Sequence, residues 1–257
     1  MNDVQIQNVL DTFNQVGFKN LKRSQLERIH NHFEKCNKRM IMVLSHTSNH
    51  DFLLGLLLFG ASSIPITMFT NFRNPFLGKL ARHIGMLTAV KNKSNTQCII
   101  DHLQKKEQFA LLIALAKTGP HQQVHSGYFY IAQALQVPII VLGFDYFLQT
   151  GYVSRKRWMP KREQTYEDFK LESEREILHE IQQICPYKPN FQVGFDLAKY
   201  THPDFHVSKI RAPDLHVLYA HVMGRRFRKE MIVFVLVGLF VLIFLYVVLT
   251  WISRRRK

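Results

Sequence analysis

Residues 39–61 read RMIMVLSHTSNHDFLLGLLLFGA. A short apolar run, Met40–Leu44, ends in a polar knot, and a longer charge-free run begins at Phe52. That order predicts a buried strand, a turn, and then a core helix from about Phe52. The knot itself holds His46, His50 and Asp51. His46 and Asp51 are five residues apart, about 500° on a continuous helix, so they share no helical face. They meet only if the chain turns between them, which a strand-to-helix junction provides. Asp51 would then accept from one imidazole nitrogen of His46, fix its tautomer and raise the basicity of the other nitrogen. An imidazole so held at the carboxyl end of a strand is a candidate general base for a hydroxyl. Spacing alone leaves a plainer alternative open, in which Asp51 caps the helix and His46 is an ordinary loop residue.

Outward from this junction, strand-like and helix-like segments alternate. Residues 1–37 carry an amphipathic helical pattern, with Val4, Ile6, Val9, Leu10 and Phe13 followed by Leu21, Leu26, Ile29 and Phe33. Downstream, the pattern predicts a strand over about 64–70, a helix over 74–85, a strand near 86–90 and a helix from Ser94 or Asn95. It continues with a buried strand over 109–116, a helix over 126–135, a buried strand over 137–147 and a charged helix over 166–184. Residues 154–163 read as a basic loop or hairpin segment, and 186–224 as mostly irregular. The alternation argues for an α/β sheet covered on both faces.

The chain of 257 residues is long enough for one domain with a substantial core. MIVFVLVGLFVLIFLYVVLTWI, residues 231–252, is 22 residues without a charge. As a helix it would be roughly 33 Å long, enough to cross a bilayer. Arg225, Arg226, Arg228 and Lys229 precede it and Arg254–Lys257 follow. These flanks supply much of the net charge of +15 and point to anionic lipid rather than nucleic acid as the partner. The basic run RKRWMPKR at 155–162 is read the same way, as a membrane-facing loop. No N-terminal signal peptide is visible. The expectation is a tail-anchored, single-pass protein of the endoplasmic reticulum or another intracellular membrane, with its main domain in the cytosol. Cys36, Cys98 and Cys185 are scattered and odd in number, which suits a reducing compartment. His30, His32 and Cys36 invite a zinc reading, but polar residues on an amphipathic helix explain them more simply. G-x-S-x-G and phosphate-cradling glycine loops are absent from the sequence.

SHTSNHDFLLG resembles the first block of the glycerolphosphate/lysophospholipid (1-acylglycerol-3-phosphate) acyltransferase superfamily, the H-x4-D box. A bacterial branch of that family often reads P-H-T-S-N-W-D-F there. NPFLGKLARHIGMLTAVKNKSN, residues 74–95, is similar to the second block. SGYFYIAQALQVPIIVLGFDY, residues 126–146, is similar to a later T-G-F-Y-x-I-A-x4-V-P-I-V-x4-D-Y run. The order and spacing of the blocks hold over roughly residues 38–150. The resemblance implies an α/β fold with a mixed, largely parallel sheet flanked by helices, to which the C-terminal transmembrane helix is added. It divides the chain into an N-terminal helical segment (1–37), an acyltransferase-like domain (38–224) and the basic-flanked anchor (225–257). It implies His46 as general base and Asp51 as its orienting partner. The acceptor hydroxyl would attack the thioester of acyl-CoA directly, with no acyl-enzyme, no metal and no cofactor beyond that co-substrate. The acceptor would be a glycerolipid or lysophospholipid whose phosphate meets Lys91 or Lys93.

The third block departs from the family. Where P-E-G-T-R is usual, this chain has Leu115, Ala116, Lys117, Thr118 and Gly119. Ala116 replaces the glutamate and Gly119 the arginine that help hold the acceptor. Lys117, Thr118 and Gly119 would line this altered substrate site, with His121 and His125 as further positive groups. His50 stands where tryptophan is common. Three readings remain at this point: a different acceptor, a phosphate held from elsewhere, or a lipid-binding or tethering member with little turnover.

Overall fold

A computed structural model describes residues 1–44, 48–62, 64–70, 87–88, 94–116, 123–188, 200 and 202–226. The apolar run of the opening stretch forms strand β1 (Arg39–Leu44), and the run after the knot forms helix α3 (Asn49–Ser62). Ahead of them, the amphipathic region is two helices, α1 (Asp3–Gln15) and α2 (Arg23–Lys35). A capping box between Asn2 and Gln5 starts α1. Gly17, at a φ of 95°, turns the chain after it, a backbone state that glycine adopts without steric cost. Beyond α3 come β2 (Ile66–Thr70), β3 (Leu87–Thr88), helix α4 (Asn95–Leu103), β4 (Phe109–Ala114), helix α5 (Gly127–Leu135), β5 (Ile139–Asp145) and β6 (Thr150–Val153). The charged helix runs as α6 (Tyr166–Phe169), one π-helical stretch (Lys170–Glu174) and α7 (Arg175–Gln182).

Several boundaries differ from expectation. α3 starts three residues before Phe52 because Ser48 and Asp51 cap it, as described below. β6 was not anticipated, since four residues without an apolar run carry no strand signal. The sequence pattern implies a mostly irregular segment over 186–224, but Leu215–Arg226 forms helix α8. Its Leu218 is fully buried in the core beside α1 and α3. The expected helix over 74–85 and the span 231–252 lie outside the described residues. Among the described residues, no helix is long and apolar enough to cross a membrane.

The sheet has six strands in the order β3-β2-β4-β1-β5-β6, with the two-residue β3 at one edge. The pairs from β3 to β5 are parallel, and β6 returns antiparallel to β5. Side chains alternate across it, as strand geometry requires. Met40, Met42, Leu44, Leu142 and Phe144 face one side and pack with Phe13, Phe33, Leu54, Leu57 and Leu218 from α1, α2, α3 and α8. Ile41, Val43, Ile139 and Val141 face the other and pack with Leu103, Phe129, Phe169 and Ile177 from α4, α5, α6 and α7. α1 and α2 thus share one core with the sheet.

This connectivity locates a crevice. β1 leaves through α3 over the first face towards β2, while β4 leaves through α5 over the second face towards β5. β1 and β4 are neighbours, in register from Arg39↔Phe109 to Leu44↔Ala114. Two adjacent parallel strands whose connections depart in opposite directions define a topological switch point, where α/β sheets bind ligands outside the strand carboxyl ends.

Candidate active site

The head of α3 lies at that switch point. Residues 45–47 join Leu44 to Ser48, the N-cap. Ser48 Oγ accepts from the His50 N–H at 3.2 Å, and Asp51 Oδ2 accepts from the Ser48 N–H at 2.8 Å. The two bonds cap the helix reciprocally, as in a capping box, except that the serine oxygen takes the N2 rather than the N3 N–H and aspartate stands where glutamate or glutamine is usual. The plainer reading of Asp51 as a helix cap is therefore realised in the structure.

Capping occupies one carboxylate oxygen. Asp51 Oδ1 accepts from the Tyr146 hydroxyl at 2.6 Å, across 95 residues of sequence. Asp51 is 2% exposed and Tyr146 is fully buried. Burying a charge is costly unless hydrogen bonds replace the lost water, and these two donors do so. A carboxylate offers about four lone-pair positions, and the cap and the phenol take two of them. Burial, followed by the Asp51 charge, pushes the Tyr146 pKa well above its ordinary value, so this hydroxyl is a donor throughout the physiological range.

Tyr146 reaches Asp51 because it continues the alternation of Leu142 and Phe144 onto the α3 face, one residue past the end of β5. Its ring is held edge-on to Phe18 at 5.5 Å and tilted against Tyr187 at 5.4 Å. The preceding residue, Asp145, faces the other way and acts as a staple. It accepts from the backbone N–H of Phe147, Leu148 and Cys185 and from the Tyr200 hydroxyl. Burial pushes its pKa up, and the four donors pull against that shift. The Tyr146 N–H donates to the Cys185 carbonyl at 2.9 Å. These bonds bring the segment after α7 over the site, and Tyr187 packs at 4.9 Å from the His50 ring. His50 has its pKa lowered by burial and by the Lys188 charge, and its Nδ1 is buried without a hydrogen-bond partner among the described residues.

Of the residues singled out from sequence, Asp51 is described. His46, Lys91, Lys93, Lys117, Thr118 and Gly119 lie outside the described residues. The start of the altered third block is described: Leu115 and Ala116 are both buried, and the Leu115 N–H donates to the Leu44 carbonyl at 3.0 Å. The His125 N–H donates to the Leu115 carbonyl at 2.9 Å. Thus the chain leaving β4 departs beside the carboxyl end of β1. No model of a known protein family matches this chain, and no curated protein matches it.

The candidate zinc group is otherwise engaged. His32 Nε2–H donates to the Ser154 carbonyl at 2.9 Å, His30 Nε2 pairs with the Met1 amine at 3.0 Å, and Cys36 Sγ accepts from Arg157 at 3.5 Å. Sequence reasoning missed Tyr146 and Tyr187. A tyrosine directly after a buried strand, in phase with that strand's inward residues, was the available signal for the first. Nothing local marked the second.

Proposed function

We propose that this chain is a membrane-anchored O-acyltransferase that moves an acyl group from acyl-CoA to a hydroxyl of a glycerolipid or lysophospholipid. One observation carries the reading: Asp51 is buried at the switch point, with one oxygen in the α3 cap and the other on Tyr146. A buried carboxylate so supported, five residues after a histidine at a strand end, is suited to orienting a general base. In this reading His46 takes the proton from the acceptor hydroxyl as its oxygen bonds to the thioester carbonyl carbon. The tetrahedral intermediate collapses, the C–S bond breaks, and the CoA thiolate leaves and takes up a proton. Lys91, Lys93 and Lys117 supply positive charge for the acceptor phosphate, and Thr118 and Gly119 line the same side. Residues 231–252 hold the enzyme at an anionic intracellular membrane, with the domain on the cytosolic side.

The test uses the full chain in lipid vesicles. Free CoA thiol is measured from palmitoyl- and oleoyl-CoA with lysophospholipids, glycerol 3-phosphate and monoacylglycerol as acceptors. Acceptor-dependent release, lost in His46→Ala and in Asp51→Asn, is expected. Folded protein that releases no CoA with any acceptor refutes the proposal. A second reading, a lipid-binding member without turnover, is favoured by Ala116, a buried methyl group (3% exposed) where the resemblance places an acceptor-binding glutamate. Lipid binding indifferent to His46→Ala, without CoA release, would select it.

A further inference from the structure

We propose that Tyr146 is a positioning residue of this site, whose hydroxyl sets both the orientation of the Asp51 carboxylate and the basicity of the His46 imidazole. The inference rests on the reading of His46 as the base. It starts from a difference between the two oxygens of Asp51. Oδ2 is tied to its own helix through the Ser48 N–H. That bond closes a local ring within the helix head. Oδ1 is tied to β5, the strand on the far side of β1 from β4, through the Tyr146 hydroxyl at 2.6 Å. Donors on two different elements thus bear on the carboxylate plane, one from its own helix and one from the end of β5. The Tyr146 ring cannot yield, because it is fully buried between Phe18 and Tyr187.

The same bond tunes charge. A short hydrogen bond to a carboxylate draws negative charge towards its donor. An Asp51 that shares its charge with Tyr146 stabilises an imidazolium less, so His46 stays neutral, and competent as a base, at lower pH. Among the described residues, the ionisable groups facing this cluster are Tyr146 after β5, His50 on α3, and Tyr187 and Lys188 after α7. None of these brings a second carboxylate, so Asp51 is the negative charge that the Tyr146 hydroxyl modulates.

The test compares wild type with Tyr146→Phe, which keeps the packed ring and removes the hydroxyl, in full-length protein in lipid nanodiscs. His46 is titrated by NMR on histidine-labelled protein, its signal assigned by its loss in His46→Ala. Acyl transfer is followed over pH in parallel. The expected result is a kcat lower by about tenfold to a hundredfold, the range for loss of an outer supporting hydrogen bond, with KM little changed. The His46 titration and the acid limb of the rate profile should both move to higher pH. A second substitution guards against mere loss of folding: 3-fluorotyrosine at position 146 keeps the hydroxyl but makes it a stronger donor. It should move the His46 titration to lower pH, a sign that structural damage does not produce. An unchanged His46 titration in both variants overturns the inference, whatever the activity. Absent His46-dependent transfer in wild type refutes the proposed reaction, and the titration alone then decides whether Tyr146 governs His46.

Discussion

Gly143 sits in β5 opposite Tyr152 of β6, and replacing it by alanine tests how the segment over the site is held. A Cβ at Gly143 would collide with Ile184 Cδ1 and would lie 3.3 and 3.4 Å from Ile184 Cγ2 and Cγ1. Ile184 is buried, and its backbone cannot retreat. The next residue, Cys185, is hydrogen-bonded on both sides, its N–H to Asp145 and its carbonyl to the Tyr146 N–H, each at 2.9 Å. Overpacking of this kind costs about 1–3 kcal/mol. Replacing a strand glycine returns about 0.5–1 kcal/mol of backbone entropy. Gly143→Ala should therefore destabilise the fold by up to about 2.5 kcal/mol. Ile184→Val deletes the colliding methyl. Alone it should cost about 0.5–1.5 kcal/mol; in the Gly143→Ala background it should cost nothing or restore stability, a coupling of about 1–2 kcal/mol. Urea unfolding followed by Trp158 fluorescence measures this, because Trp158 is buried and pairs through its backbone with Ile139 at the start of β5. Additivity of the two substitutions within about 0.5 kcal/mol, or a Gly143→Ala protein more stable than wild type, would refute the argument that Ile184 occupies the space of the missing side chain.

Glu174 is buried, and its Oε2 accepts from the hydroxyls of Tyr128 and Tyr166 at 2.6 and 2.7 Å. Tyr128→Phe should lower the unfolding free energy by about 1.5–3 kcal/mol, the range for a bond to a charged partner. Tyr166→Phe should lower it by less, because Tyr166 is only partly buried and water can replace its donor; equal losses in urea titrations would contradict this. His32 gives a pH dependence. Burial pushes its pKa below 6.5, opposed by its bond to the Ser154 carbonyl. As pH falls, the unfolded chain takes up this proton first. The contribution of neutral His32 is thus full above about pH 6.5 and is lost as pH falls through its folded pKa. Unfolding midpoints measured between about pH 7 and pH 5 should fall less steeply in His32→Gln than in wild type, and identical slopes would show that His32 is not protonated in this way.

The elements that carry the site were legible because their signals are short-range. β1 and β5 are apolar runs of strand length, and α5 and α7 show helical periodicity. The head of α3 shows the limit of such signals. Its apolar run predicted a helix from Phe52, but the cap moved the start to Asn49, since Ser48 and Asp51 satisfy N–H groups that the apolar pattern does not register. α8 is not marked by its sequence because its apolar residues are interrupted by His216 and His221 and end in Arg225 and Arg226, whereas in the fold Leu218 is fully buried and Val217 packs against the same core.

The sequence by itself determined that an α/β sheet would form, that a strand would hand over to a helix at the SHTSNHD knot, and that a histidine and an aspartate would stand at that junction. Tertiary structure alone decided what surrounds Asp51. Tyr146 comes to it across 95 residues because β5 is laid beside β1, and Tyr187 comes to the same cluster because Asp145 staples the Cys185 backbone. Periodicity and caps act over one or two turns of chain. Which strands lie side by side is settled by crossover connections and by the packing of two opposite faces, and no local stretch of residues encodes that.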